Sequence, residues 1–331
     1  MDELLLAIAQ ISFLSLKEKI ILRKNLDSLD KLALMSIEDI SQVVGRTVHP
    51  EIWDGRQSAA FARRSALLMH KMNIGSVLYD DSRYPALLGE TFNPPFMLFY
   101  RGEFSVLAKQ CVSVVGTRKI CREAAEAAFS FARDAAADGL TVVSGLAYGT
   151  DACAHKGAVA AAGTIKTGTT CAVLPCGIDT IVPPAHKVLV QHILATGGCV
   201  VSEYVPGCDA EPWRFVQRNR IIAALSPATV VIQAPAGSGA LITADFAVEY
   251  NRDVMFHQAG FCESAKKTAQ LVEKQLAASP KRGAQAKLKK NAEQFLEEGA
   301  PIIKDYAEYV AARRDAPGAH SCKKDGQLPL F

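Results

Sequence analysis

The stretch "CVSVVGTRKICREAAEAAFSFARDAAADGLTVVSG", residues 111–145, contains the clearest indication of the fold class. Two short apolar runs rich in valine, 111–115 and 141–144, flank an alanine-rich segment of helical composition. A short, continuous apolar run indicates a strand that is buried on both faces. Two such strands joined by a helix predict a parallel βαβ unit.

The same alternation continues along the chain. Four further apolar runs follow, with segments of helical composition between them: "TCAVLPCG" (170–177), "CVVSEY" (199–204), "ATVVIQAP" (228–235) and "DVMFH" (253–257). The sequence therefore predicts the α/β class. Residues 105–260 are expected to form a Rossmann-like parallel sheet with helices on both faces.

The segments around this domain differ in composition. Residues 1–74 predict a small all-α domain of the SAM or helix-hairpin-helix type, with two helix-starting capping boxes: Ser15 with Glu18, and Ser36 with Asp39. Residues 75–104 predict a connector packed on the next domain. Residues 261–331 predict a basic helical extension followed by a polar tail.

Composition excludes several classes of protein. The 331 residues are 49% hydrophobic and 21% charged, with a formal net charge of +3, as in a globular protein rather than a disordered chain. The acidic start and the lack of a long charge-free apolar run predict a cytoplasmic protein without a membrane partner. Cys153 and His155 lack a second pair of ligands, so no metal and no cofactor is predicted.

Glycine-bearing segments follow the predicted strands. Ligands of an open parallel sheet bind outside the carboxyl ends of its strands, where small residues at helix N-termini expose backbone N–H groups to anions. The predicted phosphate-binding residues in these segments are Gly116, Thr117, Arg118, Ser144, Gly145, Ser238, Gly239 and Thr243. Arg218, Asn219 and Arg220, at the start of a predicted helix, are expected to line the mouth of the same pocket.

The residues just before this arginine pair are predicted to have other roles. Arg214 is expected to pair with Glu203 or Glu211 rather than with a ligand. Phe215 is interpreted as a core residue, whereas for Trp213 both stacking on a base and packing in the core stay open.

Two nucleotide-binding patterns are absent. The dinucleotide fingerprint G-x-G-x-x-G is missing after the first strand of the domain, where Gly116 stands alone. The P-loop-like "GTIKTGTT" (163–170) has Thr169 in place of the required lysine and precedes a strand instead of following one. Hydrolysis of a nucleoside triphosphate is therefore disfavoured.

Six longer motifs follow one another in the chain: "VSVVGTRKI", "VVSGLAYGTDACAHKGA", "AVLPCGIDTIVPP", "VVSEYVPG", "RFVQRNRIIAALS" and "VVIQAPAGSGALITADFAVEYNRDV". In this order and spacing, over residues of about 75–260, the chain resembles the DNA-processing protein A (DprA/Smf) family. The resemblance implies a homodimer, built through the Rossmann-like domain, that binds single-stranded DNA. It also implies protection of incoming strands in natural transformation, help in loading RecA, and no enzymatic activity.

The resemblance implies that the DNA backbone contacts Arg118, Arg218, Asn219 and Arg220. Main-chain N–H donors nearby would come from residues 144–145 and 238–239. The sequence departs from the family pattern in "FV" before the Arg-Asn-Arg motif, in Gln217 and in "QAG". Twenty-one residues follow "GAPIIKDYAEYV", so the winged helix of many relatives is not expected.

Two alternative functions and the role of one basic segment stay open at this point. An enzyme that cleaves nucleoside monophosphates would use Glu203 or Asp151 to activate water, and a recruitment scaffold would not depend on Arg118. The basic segment 281–290 is either a solvated surface or a further contact with nucleic acid.

The last five residues, "QLPLF", resemble the peptide by which bacterial repair proteins dock on the DNA sliding clamp. The residues predicted to bind the clamp are Gln327, Leu328, Leu330 and Phe331.

Overall fold

The computed structural model describes residues 2–49, 53–163, 168–279 and 288–315. The chain begins with five helices: α1 (Glu3–Gln10), α2 (Leu16–Asn25), α3 (Leu29–Leu34), α4 (Ile37–Val44) and α5 (Gly55–Met72). Both predicted capping boxes are formed, at the starts of α2 and α4. Helix α4 ends where Gly45 adopts a left-handed conformation, with φ of 77°.

The capping box of α2 also contacts Arg46, in the loop that follows α4. The Glu18 carboxylate accepts hydrogen bonds from the Ser15 N–H, at 2.7 Å, and from the Arg46 guanidinium, at 3.1 Å from Nη2. The bond from Arg46, followed by the bonds from Ser15, lowers the pKa of Glu18 from 4.5 to about 2, against the opposing effect of burial. The carboxylate therefore stabilises the helical region in its ionised form.

We expect Glu18→Gln to lower the free energy of unfolding by about 1–2 kcal/mol at pH 7, because half-exposed Arg46 is partly screened by water. Because the folded pKa is depressed, this stabilisation is complete above pH 4.5 and is lost as the pH falls towards 2. Urea unfolding of both proteins across that range measures it. A difference between the two proteins that stays constant from pH 7 to pH 2 would contradict this origin.

In the described ranges, one sheet of nine strands follows these helices. Its strands are β1 (Gly75–Leu78), β2 (Met97–Gly102), β3 (Cys111–Val115), β4 (Thr141–Ser144), β5 (Thr169–Val173), β6 (Cys199–Ser202), β7 (Ala228–Val231), β8 (Asp253–His257) and β9 (Ile302–Ile303). The remaining helices are α6 (Ala86–Gly89), α7 (Arg122–Ala137), α8 (Thr150–Ala160), α9 (Lys187–Ala195), α10 (Pro212–Ala224), α11 (Gly239–Glu249), α12 (Glu263–Ala277), α13 (Ala292–Glu297) and α14 (Tyr306–Asp315).

The strand order is β1-β2-β6-β5-β4-β3-β7-β8-β9. From β6 to β9 every pairing is parallel, and the strand order β6-β5-β4-β3-β7-β8-β9 reverses between β3 and β7, as in doubly wound folds. The predicted α/β class is confirmed. The sheet is mixed rather than wholly parallel, because β2 pairs antiparallel with both β1 and β6.

The predicted connector 75–104 thus contributes two strands to the sheet edge, although the domain division itself stays a prediction. Apolar clusters cover both faces of the sheet. A third cluster joins the N-terminal helices to the sheet domain, since Leu6 and Ile8 belong to the same buried group as Phe99 and Val200. The Ser65 hydroxyl donates to Pro206 O at 2.7 Å in this contact. The helical region is therefore packed on the sheet domain.

Candidate nucleic-acid interface

The strand order places a cleft at the carboxyl edge between β3 and β7. From β3 the chain proceeds to β4 on one side, whereas β7 lies on the other side, so the loops after β3 and β7 diverge. Such a switch point is where doubly wound sheets bind ligands. The cleft measures about 390 Å³.

Eight of the eleven predicted phosphate-binding residues line this cleft. They are Gly116, Thr117, Arg118, Arg218, Asn219, Ser238, Gly239 and Thr243. The N-terminus of α11 also faces it, with Ser238 as the N-cap whose side chain accepts from Ala240 N. This helix end contributes a positive partial charge to the cleft.

One face of α10 forms a wall of the cleft. Its lining residues follow helical spacing, from Phe215 through Arg218 and Asn219 to Ile222. The Asn219 amide donates to Gly239 O at 3.2 Å and so links α10 to the start of α11. The interpretation of Phe215 as a core residue is wrong, because the ring is only partly buried and lies in this wall.

Arg118 is an exposed cation at the cleft. Its Cζ lies 5.5 Å from the centroid of the Phe215 ring, in cation–π contact. Among the described residues, no carboxylate lies within ion-pair distance of its guanidinium. The loop that carries it packs against Gly149, where φ is +77° and where a Cβ would overlap the carbonyl oxygens of Thr117 and Arg118. Glycine at 149 therefore sets the position of the Arg118 loop.

Arg218 is a buried cation at the same cleft. Its Nη1 donates to Val173 O at 2.6 Å, and its Nε is buried without a hydrogen-bond partner in the described part of the chain. Burial lowers the pKa of Arg218 to about 10, while the Asp151 carboxylate opposes that change. The guanidinium therefore remains charged at neutral pH.

Asp151 is held by the backbone behind Arg218. Its Oδ2 accepts from Gly145 N and Ala147 N, each at 3.2 Å. Burial raises the pKa of Asp151, whereas the charge of Arg218 lowers it. The Gly145 N–H is thus engaged within the protein, and so is the Ser144 hydroxyl, which donates to Val114 O at 2.6 Å. Neither residue lines the cleft.

Gly145 leaves space for the Arg218 guanidinium, since a Cβ at position 145 would overlap it. We expect Gly145→Ala to lower the free energy of unfolding by about 1–3 kcal/mol through overpacking. Gly239→Ala is the matched control, because no atom lies within 4 Å of a Cβ at that position. Thermal unfolding of both variants measures the effect, and equal melting temperatures would contradict this role of Gly145.

Arg220 does not reach the cleft. Its Nη2 pairs with Glu203 and its Nη1 donates to Asn93 O at 2.8 Å, so the buried guanidinium is neutralised on the other side of α10. It borders a separate groove between the N-terminal helices and the sheet domain. The DNA contact assigned to Arg220 stays a prediction.

Arg214 and Trp213, near the start of α10, contact residues close to them in the sequence and in the neighbouring loop. The expected pairing of Arg214 is confirmed, with Glu211 at 3.3 Å. Its guanidinium also lies over the rings of Tyr204 and Trp213, at 4.9 and 5.1 Å. Trp213 is about half exposed and donates from Nε1 to Glu211 at 2.6 Å, so it is not a core residue.

Sequence reasoning missed two parts of the lining. Lys119 follows Arg118 in the same loop and adds a second exposed cation. Helix α12 contributes Thr268, Val272 and Leu276, although its residues were predicted only as part of a basic extension. The signal for Lys119 was present in the quoted motif, whereas the packing of α12 depends on tertiary contacts.

The remaining predictions concern the pair Cys153 and His155, the basic segment and the C-terminal tail. His155 is buried, with Nδ1 2.7 Å from Thr170 Oγ1, and in the described ranges no third ligand joins it and Cys153. Most of the basic segment 281–290 and the whole tail 327–331 lie outside the described residues. Lys290, at the end of that segment, pairs with Asp245.

A family model described as DNA recombination-mediator protein A matches residues 75–307. The chain belongs to this family. The match includes all the strands of the sheet and the whole cleft described above. The family is described by mediation of recombination rather than by an enzymatic reaction, in agreement with the expectation that the chain is not an enzyme.

Curated relatives support this membership. Protein Smf of a Synechocystis species is 42% identical over 179 residues, which cover 53% of this chain and 44% of the relative. DNA processing protein DprA of Streptococcus pneumoniae is 37% identical over 174 residues, which cover 53% of this chain and 59% of the relative. The chain thus spans about half the length of the curated relatives it matches.

Solved structures share the fold. The X-ray structure of DprA from Streptococcus pneumoniae superposes with a TM-score of 0.64 and 24% identity, and covers 92% of this chain and 95% of the other. A structure of DNA processing protein A from Helicobacter pylori, described for its single-stranded DNA binding mode, gives a TM-score of 0.55 at 24% identity, with 72% and 94% covered. Across the described ranges, no helix is long and apolar enough to cross a membrane.

Proposed function

We propose that the cleft between β3 and β7 binds the backbone of single-stranded DNA. The observation that carries the proposal is a pair of arginines, Arg118 and Arg218, that face one cleft beside the N-terminus of α11. Among the described residues Arg118 has no carboxylate partner, and Arg218 has only the buried Asp151 carboxylate close enough to affect its pKa. A guanidinium stays charged and can donate two parallel hydrogen bonds to a phosphate.

The lining suits a single strand bound without sequence preference. Phosphates would meet Arg118, Lys119 and Arg218, while the half-buried Phe215 ring offers a face on which a base can stack. Each phosphate contact releases counterions, so affinity should fall steeply with salt. The Helicobacter pylori relative, described for its single-stranded DNA binding mode, supports this choice of ligand.

The rival function, cleavage of a nucleoside monophosphate, has weaker support in the geometry. Glu203 pairs with Arg220 outside the cleft lining. Asp151 lines the cleft, but it is buried and its Oδ2 accepts two backbone hydrogen bonds, so this oxygen is already engaged within the protein. The cleft therefore fits retention of a phosphate backbone better than hydrolysis.

Family membership supports a wider role in recombination. We propose that the chain forms a homodimer, protects incoming strands during natural transformation and hands them to RecA. Light scattering of the purified chain tests the dimer. RecA filament growth on DNA coated with single-strand-binding protein, with and without the chain, tests the loading step.

Fluorescence anisotropy of a labelled oligo-dT strand tests the binding function itself. We expect tight binding that weakens steeply between 50 and about 200 mM salt, with duplex of the same length bound much more weakly. A nucleoside monophosphate in excess should neither displace the strand nor be consumed. No binding of oligo-dT at low salt, together with turnover of the monophosphate, would replace this function with the enzymatic one.

The C-terminal peptide carries a separate prediction. Retention of the chain on immobilised sliding clamp should be lost when Phe331 is deleted, because the ring and Leu330 would fill an apolar pocket. Lys323→Ala, which leaves the pentapeptide intact, is the control and should be retained as the parent chain is. Equal retention of the chain with and without Phe331 would contradict the clamp partner.

A further inference from the structure

Two cysteines that lie 141 positions apart in the sequence meet beside the cleft. Cys121 is the N-cap of α7 and Cys262 is the N-cap of α12, and their sulfur atoms are 3.7 Å apart. The Glu123 carboxylate completes a cluster in which all three ligand atoms lie within 4.8 Å of one another. Within the described residues, no other three such groups come this close together.

The distances match those of a metal site. Two sulfurs bound tetrahedrally to zinc at about 2.3 Å are separated by about 3.8 Å, whereas a disulfide requires about 2.05 Å. The Ser264 hydroxyl donates to Glu123 Oε1 at 2.9 Å and so fixes one carboxylate oxygen. Outer hydrogen bonds of this kind orient the ligands of metal sites.

We propose that Cys121, Cys262 and Glu123 bind a divalent cation that prefers thiolate ligands, with Zn²⁺ the best match and a water molecule in the fourth position. Binding releases two thiol protons, and the cation accepts one electron pair from each sulfur and one from the carboxylate. The three ionised ligands carry a charge of −3 against +2. Helices α7 and α12 both begin at this site, and the positive partial charges of their N-termini offset the remaining negative charge.

A cation at this position would connect two parts of the cleft. Helix α12 lines the cleft through Thr268, Val272 and Leu276, and α7 begins four residues after Arg118. The cation would therefore fasten one wall of the cleft to the loop that carries Arg118. The site itself does not depend on any DNA-binding function.

Titration with Co²⁺ tests the proposal on the full chain, in a phosphine reductant that contains no thiol. We expect thiolate-to-cobalt charge-transfer absorption in the near ultraviolet that saturates at one equivalent and disappears when Zn²⁺ is added. Cys121→Ser and Cys262→Ser should each abolish this band at stoichiometric Co²⁺. Cys208→Ser, at a partly buried cysteine outside the cluster, is the matched control and should keep the band.

Two variants with smaller expected losses of affinity test the role of the Glu123 carboxylate. Glu123→Gln is expected to weaken Zn²⁺ binding by at least about tenfold, and Ser264→Ala by about tenfold. Zn²⁺ should raise the melting temperature of the parent chain but not that of either cysteine variant, whose metal-free melting temperatures report whether they fold. Absorption that survives in both cysteine variants would overturn the proposal. So would a Cys121–Cys262 disulfide in the metal-free chain that persists in the phosphine.

Discussion

Replacing Arg118 by alanine is expected to weaken binding of oligo-dT by about tenfold to a hundredfold. The exposed guanidinium has no acidic partner among the described residues, so its hydrogen bonds are available to phosphate, and such charge-assisted bonds contribute about 1.5–3 kcal/mol. The slope of log affinity against log salt should also fall by about 1, because one phosphate contact is lost.

Anisotropy titrations at two salt concentrations measure both effects. Arg133→Ala is the matched control, since Arg133 is an exposed arginine on α7 that pairs with Asp134 and does not line the cleft. Arg118→Lys should recover only part of the affinity, because an ammonium group cannot donate in the planar bidentate geometry. Affinity and salt slope equal to those of the parent chain in Arg118→Ala would remove the cleft from the binding site.

Replacing Glu203 by alanine is expected to lower the free energy of unfolding by about 3–5 kcal/mol. The Arg220 guanidinium is buried and pairs with this carboxylate, so the substitution leaves a charge in the interior without its counter-ion. Chemical denaturation followed by circular dichroism measures the loss.

Glu211→Ala is the control for this second prediction. That glutamate forms an ion pair with Arg214, but about half of its side chain is exposed to solvent, so its loss should cost less than about 1 kcal/mol. Below its melting temperature Glu203→Ala should bind oligo-dT as the parent chain does, since Glu203 lies outside the cleft lining. A variant of unchanged stability that no longer binds DNA would instead place Glu203 in the functional site.

The parallel strands could be predicted from the sequence because their signal is local. Each of the six predicted runs is buried on both faces, so a continuous apolar stretch such as 111–115 is sufficient to identify it. The pairings of β2 with β6 and of β8 with β9 could not be predicted in this way. They depend on partners far along the chain, as in the antiparallel register of Gly102 with Cys199.

The candidate site was predictable in part for a similar reason. The loops that follow parallel strands lie at the same edge of the sheet, so Arg118 and Ser238 could be assigned to one site from the sequence. The separation of Arg218 from Arg220 follows from helical geometry, since residues two positions apart point to nearly opposite sides of a helix. Which of the two faces the cleft depends on the buried partner Glu203, and that contact is tertiary.

The meeting of Cys121 with Cys262 illustrates the same limit. Neither cysteine belongs to a sequence motif with ligand spacing, and the pair forms only because α12 packs beside the start of α7. Reading cysteine spacing along the chain therefore predicted no metal site, whereas the fold brings two thiols and a carboxylate together.

Photo-crosslinking of an oligo-dT strand that carries iodinated uracil locates the DNA on the chain, and so shows whether the strand lies in the cleft. We predict that the principal crosslinked peptide contains Phe215, the aromatic ring of the cleft wall, and that Arg118→Ala reduces this product while Arg133→Ala does not. Crosslinks confined to the N-terminal helices or to the basic segment 281–290, with none at Phe215, would contradict the assignment of the cleft as the DNA-binding site.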